Sequence, residues 1–296
     1  MKKLTIQGMA KINLGLDVIR RREDGYHEVK MVMQTLNLCD TLTIEKSDTP
    51  SITIQVGTAP LPADENNLIY KSANLLMQHC NLSLGVSISL QKEIPIAAGM
   101  AGGSTDAAAT LLGMNQLFAL GLSLEELQKL GVKIGADVPY CLQGGTALSE
   151  GIGEILTTLP AAPDCFVVVG KPELSVSTKY VYENLHANSL QYHPDIDGMV
   201  VAITNKDLDG ITKRMENVLE TVTEKEYPVI TDIKDLLKEK GAENALMSGS
   251  GPTVFGIFTE EKRAREAREA LQQSGLVKQS FVTTFSDRTG IVVSKE

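Results

Sequence analysis

No window of the 296-residue sequence approaches eighteen uninterrupted apolar residues, so no transmembrane helix is expected. The opening "MKKLTIQGMAKINLGLDVIRRR" has two lysines, but Gln7, Lys11, Asn13 and Asp17 interrupt the apolar stretch that a secretory leader needs. Cysteine is scarce and scattered. Cys39, Cys80, Cys141 and Cys165 form no CxxC pair, the pattern of small buried residues in a reducing cytoplasm. His27, His79, His186 and His193 make no HxxxH or HxH pair, so a structural zinc is not expected. Positive charge is short as well: 28 basic against 37 acidic residues leave a net charge of −9, which argues against a nucleic-acid binder with a basic face. An anionic small molecule is not excluded, because a few placed cations, a helix N-terminus and a metal ion can hold one.

What is present is a soluble, globular balance of 43% hydrophobic and 22% charged residues, enough for one large domain or two ordinary ones. In "AKINLGLDVI", Ala10, Ile12, Leu14, Leu16 and Val18 alternate with Lys11, Asn13, Gly15 and Asp17. That period of two predicts a half-buried strand. "DTLTIEK", "SITIQV" and "LGVSISLQ" repeat it, and "NNLIYKSANLLMQHC" between them has helical spacing. A second helix is expected with Ala107, Leu111, Met114 and Phe118 on one face and Gly121 at its end. Ser123 and Glu126 offer a capping box to a third, stopped at Gly131. Near "LPAAPDC" the pattern resets, which places a soft boundary between residues 1–160 and 161–296. From about Val229 the order is α-β-β-α-β, compatible with a split sandwich of ferredoxin-like type. The charged run "EEKRAREARE" is the solvated face of a helix.

The most informative stretch is "PIAAGMAGGSTDAAATL", residues 95–111. It lacks the lysine of GxxxxGK[ST] and fails GxGxxG. Its physical content survives that failure: glycines and alanines clear side chains from one surface, so backbone amides can approach an anion. Ser104 can cap the helix that follows, Thr105 adds a second hydroxyl, and the positive helix end points into the loop. The bland alternative is tight packing of small residues. Elsewhere Lys11 and Asn13 share one face of a strand; a lysine there is either an edge residue in water or a cation beside a reacting group. Asp137 in "GADVP" is a good N-cap for a helix started by Pro139. In "RREDGYHEV", Asp24-Gly25 marks a turn, followed by Tyr26 and His27, which can stack on and hydrogen-bond to a heterocycle or serve simply as turn chemistry.

Four blocks occur in order: "AKINLGLDVIRRREDGYHEV", "PIAAGMAGGSTDAAATL", "IGADVPYCLQGGTAL" and "MSGSGPTVFGIF". Together they resemble the signature blocks of the GHMP kinase superfamily, over most of the chain from about Ala10 to Phe258. The resemblance implies an α+β fold, with an N-terminal domain of ribosomal-protein-S5-like type and a C-terminal ferredoxin-like α/β sandwich flanking the active-site cleft. It implies that Pro95, Ala98, Gly99, Ala101, Gly102, Gly103, Ser104 and Thr105 bind the phosphates of ATP. Mg²⁺ would bridge those phosphates, with Ser104 as a hydroxyl contact. The family's catalytic aspartate falls on Asp137 and its lysine partner on Lys11, while Ser248–Pro252 shapes the cleft. "DGYHE" narrows the acceptor to a cytidine diphosphate-linked polyol of isoprenoid-precursor synthesis. Its cytidine end would meet Tyr26 and His27, with Tyr182 as a second aromatic and Asn13 also on the acceptor. No nucleic acid or membrane partner is implied. Met9 stands where a proline often precedes "AKIN", Ala98 and Ala101 replace glycines, and Thr105 replaces a serine. Two rivals remain at this stage: a superfamily kinase for homoserine, mevalonate or a sugar, and a non-catalytic ligand sensor on the same fold.

Overall fold

The computed structural model describes residues 2–287 and 290–294. Strands β1 (Lys3–Arg21) and β2 (His27–Ser47) form a long antiparallel hairpin. Its turn uses Gly25 at φ 88°, in the left-handed region glycine enters without steric cost. The Asp24 carboxylate accepts the Tyr26 amide there, at 3.1 Å. The first half continues through β3 (Ile52–Gln55), α1 (Leu68–His79), β4 (Gly85–Gln91), α2 (Gly102–Leu117), α3 (Leu124–Val132), α4 (Val138–Gln143), β5 (Thr146–Gly151) and β6 (Ile155–Thr158). Strand β2 is long enough to serve two partners, β5 along Val29–Gln34 and β4 along Thr41–Ser47.

The second half opens with β7 (Phe166–Lys171) and four short helices, α5 (Thr178–Asn184), α6 (Ile196–Thr204), α7 (Leu208–Thr212) and α8 (Glu220–Glu226). Then come α9 (Val229–Glu239), β8 (Asn244–Met247), β9 (Val254–Phe258), α10 (Glu261–Ser274) and β10 (Gln279–Thr284). The sheet order is β10-β7-β9-β8, antiparallel throughout, with α9 and α10 as its two crossovers. This is the ferredoxin-like sandwich expected from the sequence. A last strand, β11 (Ile291–Ser294), crosses back and pairs with β1 at Thr5–Gly8, giving a first sheet of order β11-β1-β2-β4-β3 with β5 and β6 attached through β2.

Strand β1 departs from the half-buried expectation in a way that makes the site. From Gly8 to Val18 every residue is buried. Register shifts at Met9/Lys11 and Asn13/Gly15 bend the strand. Leu4, Ile6, Leu16 and Val18 enter the core under α2, whereas Ala10, Ile12 and Leu14 between them pack with Val167, Val169 and Phe255 of the second sheet. One strand thus welds two cores, each fully buried aliphatic side chain contributing about 1.5–3 kcal/mol, and it leaves Lys11 and Asn13 to the cleft. Helix α2 is likewise buried nearly all round rather than on the one expected face, because α1, α3 and α4 cover the side away from the sheet. Its small residues allow this approach: a Cβ on Gly113 would sit 2.4 Å from Ile44 Cδ1.

Candidate active site

Lys11 is not an edge residue in water. It is 4% exposed, on a strand flanked by β2 and β11. Its Nζ donates to Asn13 Oδ1 at 2.8 Å and lies 3.6 Å from Asp137 Oδ2. A buried ammonium without such partners is strongly disfavoured, so the three residues hold one another in place. The N-cap expected at Asp137 is not formed: the residue is helical, at φ −80° and ψ −14°, and makes no capping bond. Its carboxylate, a third exposed, is turned to Lys11 and the cavity instead.

That cavity, about 640 Å³, has the glycine-rich loop as one wall. The amide of Lys11 donates to Met100 O at 3.2 Å, tying loop to strand. Helix α2 starts at Gly102, with Ala101 as its N-cap in the left-handed region at φ 56° and no side-chain cap. Ser104 therefore does not cap the helix; it sits in the first turn, lines the cavity and leaves its hydroxyl available. The first-turn amides of Gly102, Gly103 and Ser104 have no partner within the helix, and no acidic residue occupies that turn. A cavity wall of this kind can seat an anion. Ala98 and Gly99 line it as well, but two residues assigned to the phosphates do not. Thr105 is fully buried and its hydroxyl donates to Met9 O at 3.0 Å. Pro95 lies on a neighbouring cavity with Val56, Pro60 and Lys171.

At the far end stand Tyr26, His27 and Tyr182. Tyr26 is 59% exposed, a large ring left open to the cavity and solvent. The His27 and Tyr182 rings lie 5.0 Å apart at 41°. His27 Nε2 is buried with no hydrogen-bond partner. Burial and the nearby Arg21 charge lower the His27 pKa, keeping the imidazole neutral at pH 7. Burial, then the charge of Asp137, pushes the Tyr182 hydroxyl well above its ordinary range, so it stays protonated. The Ser248–Pro252 loop closes the cleft: Gly249 and Ser250 line it, and Ser248 Oγ donates to Gly99 O at 2.9 Å.

Residues 67–145 match the GHMP kinases N terminal domain and residues 199–276 the GHMP kinases C terminal. A 4-diphosphocytidyl-2-C-methyl-D-erythritol kinase of Lachnoclostridium phytofermentans is 52% identical over 291 residues, covering 98% of this chain and all of that protein. The protein of that name from Lachnospira eligens is 52% identical over 283 residues, 96% of this chain and 98% of its own. The chain belongs to the GHMP kinases. It is a small-molecule kinase of this family, in the branch that these relatives represent. A crystal structure of 4-(cytidine 5'-diphospho)-2C-methyl-D-erythritol kinase superposes with a TM-score of 0.81 at 32% identity, over 95% of this chain and 99% of that one. A homoserine kinase from Cytophaga hutchinsonii has a TM-score of 0.80 at 20% identity, a likeness of fold alone. Among the described residues, no helix of this GHMP kinase is long and apolar enough to cross a membrane.

Sequence reasoning missed the support beneath the glycine-rich loop. Lys92, almost fully buried, is hydrogen-bonded to both Asp40 and Asp106, the latter at 2.8 Å. Asp40 also accepts the amides of Glu93 and Ile94, at 2.7 and 2.9 Å, pinning the entry to the loop. Burial pushes the Asp106 carboxyl up to about 8, against the pull of Lys92. The available signal was Asp106 itself, a charged residue inside the alanine-rich run of a buried helix.

Proposed function

We propose that the chain transfers the γ-phosphoryl group of ATP to the 2-hydroxyl of 4-diphosphocytidyl-2-C-methyl-D-erythritol, in the non-mevalonate route to isoprenoid precursors. One observation carries the reading. The Lys11–Asp137 pair stands on the wall of a single cavity with free helix-start amides to one side and, at the far end, an imidazole whose buried Nε2 is unpaired. The names of the relatives at about half identity support the acceptor. On this reading residues 1–160 bind ATP and residues 161–296 complete the substrate cleft, apart from β11.

Phosphoryl transfer asks chiefly for positioning and charge neutralisation. The amides of Gly102, Gly103 and Ser104 hold the β- and γ-phosphates, and Ala98, Gly99 and Ala101 let them approach. Lys11 supplies the charge that a P-loop lysine gives elsewhere, from a distant strand. Asp137 accepts the proton of the acceptor hydroxyl; the oxygen bonds to the γ-phosphorus as the bond to the bridging oxygen of ADP breaks. Lys11 stabilises the developing alkoxide and stays paired with Asp137. Asn13 fixes the Lys11 ammonium and faces the acceptor. Tyr26 and Tyr182 offer ring faces to the cytosine, and His27 Nε2 offers the hydrogen bond that reads its edge.

Among the described residues no group of three or more His, Cys, Asp or Glu could cage a metal. Mg²⁺ takes one or two protein oxygens together with phosphates and water. Ser104 Oγ and the Asp137 carboxylate line the same cavity, and a Cβ on Gly135, two residues before Asp137, would lie 3.8 Å from Ser104 Oγ. Ser104 would hold the ion together with phosphate oxygens and water, and the ion would neutralise phosphate charge when bound.

The test is Asp137→Asn. Turnover is expected to fall by about 10²–10⁴-fold while ATP binding and thermal stability stay near wild type. Near wild-type turnover contradicts the assignment.

A further inference from the structure

Residues Glu216–Val218 occupy a junction that the mechanism above does not use. The Leu16 amide donates to Glu216 O at 2.9 Å, and the Val218 amide donates to Leu16 O at 3.0 Å. The segment is thus clipped to the same strand that carries Lys11 and Asn13. Between these two clips stands Asn217, 5% exposed. Its Nδ2 donates to Met247 O and to Gly249 O, both at 2.8 Å, and its Oδ1 accepts the Leu219 amide at 3.0 Å. The partners fix the amide's orientation, since two carbonyls can only accept and an N–H can only donate.

The two carbonyls flank Ser248, whose hydroxyl donates to Gly99 O at 2.9 Å. A Cβ on Gly99 would lie 2.2 Å from Ser248 O, so the two loops are in backbone contact and a shift of one displaces the other. Glu220 adds a parallel hold, accepting the Met247 amide at 2.8 Å through Oε1 while Oε2 accepts from Lys234 at 2.7 Å. Only a side chain with two donors and one acceptor at this length completes the junction. Serine is too short to span both carbonyls. Aspartate would set charged oxygens against them.

We infer that Asn217 is a positioning residue for phosphoryl transfer: it fixes Ser248–Gly249 against the Lys11 strand and, through Ser248, sets the place of Gly99 in the phosphate loop. This rests on the reading of the cavity as the kinase site. Asn217 touches no reacting group; it acts through the loop.

The experiment compares Asn217→Ala with Met215→Ala, a buried substitution two residues away on the second core. Two readouts are taken: the dissociation constant of a non-hydrolysable ATP analogue, and kcat/KM in the ADP-release assay. Asn217→Ala is expected to weaken analogue binding and to lower kcat/KM, each by roughly tenfold or more. Met215→Ala lowers Tm at least as much and leaves both values within about twofold. A second arm leaves Asn217 in place. Ser248→Ala cuts the link to Gly99 and is expected to weaken analogue binding to a similar extent with little change in Tm. Analogue binding unchanged in either Asn217→Ala or Ser248→Ala overturns the proposal, and Ser248→Ala alone decides it if Asn217→Ala does not fold. Analogue binding needs no acceptor, so failure of the proposed acceptor to turn over would sink that assignment and leave this one standing.

Discussion

Placing one methyl group on Gly99 tests whether the phosphate loop and the Ser248–Pro252 loop form one device. Gly99→Ala carries two separable costs. The backbone stands at φ 69°, where an L-residue costs roughly 1–2 kcal/mol. The new Cβ would also fall 2.2 Å from Ser248 O and 3.2 Å from Gly251 O, both backbone atoms that no side-chain rotation can move aside. Ordinary contact requires the loops to part by about 1 Å, which breaks the Ser248 bond to Gly99 O, a loss of about 1 kcal/mol. A misplacement of that size at reacting groups can cost about 10²-fold in rate. Gly121→Ala is the control. It stands at φ 75° with open space around the missing Cβ, so it carries the conformational cost alone. Urea unfolding and the ADP-release assay read the two effects. Both variants lose roughly 1–2 kcal/mol from conformation; Gly99→Ala loses about 1 kcal/mol more and its kcat/KM for ATP falls by about two orders of magnitude. Gly99→Ala with stability and kcat/KM equal to those of Gly121→Ala would refute the coupling of the two loops.

Tyr26→Ala is expected to raise acceptor KM by the roughly 1–3 kcal/mol of a base–aromatic stack and to leave ATP KM unchanged; equal effects on both substrates make Tyr26 merely structural. The Asp106 carboxyl sits at about 8 in the fold against an ordinary 3.8, so the folded chain binds that proton more tightly than the unfolded one. Its contribution to stability is full below the ordinary value and is lost as pH rises through about 8. Thermal melts should show wild-type Tm falling from pH 6 to 8.5 by more than that of Asp106→Asn; parallel declines contradict this. Ala101→Gly relieves a left-handed alanine at φ 56°. It is expected to stabilise the fold by up to about 1 kcal/mol in urea unfolding, and a loss of stability would show that the methyl group packs usefully.

The order of the second half could be read directly, because α9, β8, β9, α10 and β10 each keep one period and each has a clear break between them. The first half was harder. Two-sided burial of β1 follows from a bend at its register shifts and from a second core more than 150 residues away in sequence, neither of which alternation can report. The pairing of β5 with β2 and the return of β11 to the first sheet are likewise long-range. Within the site, the run of small residues named the loop, but not which hydroxyl faces it. Ser104 and Thr105 are consecutive on a helix, so they point in different directions. The cleft takes Ser104, while Thr105 packs on Gly8, where a Cβ would be 2.9 Å from its Oγ1. Asp137 looked like a cap because the sequence does not show a buried lysine arriving from residue 11. Asn217 and Lys92 gave no local signal, since the groups that accept their hydrogen bonds are carbonyls or carboxylates about 14 to 50 residues away.

The central claim is that this cavity takes a cytidylated polyol as acceptor and ATP as donor. The most direct measurement is ADP release by the purified chain with ATP, Mg²⁺ and 4-diphosphocytidyl-2-C-methyl-D-erythritol, with homoserine and mevalonate in parallel. Turnover is expected with the cytidylated acceptor alone. Turnover with homoserine or mevalonate instead, or with none of the three despite ATP binding, would contradict it.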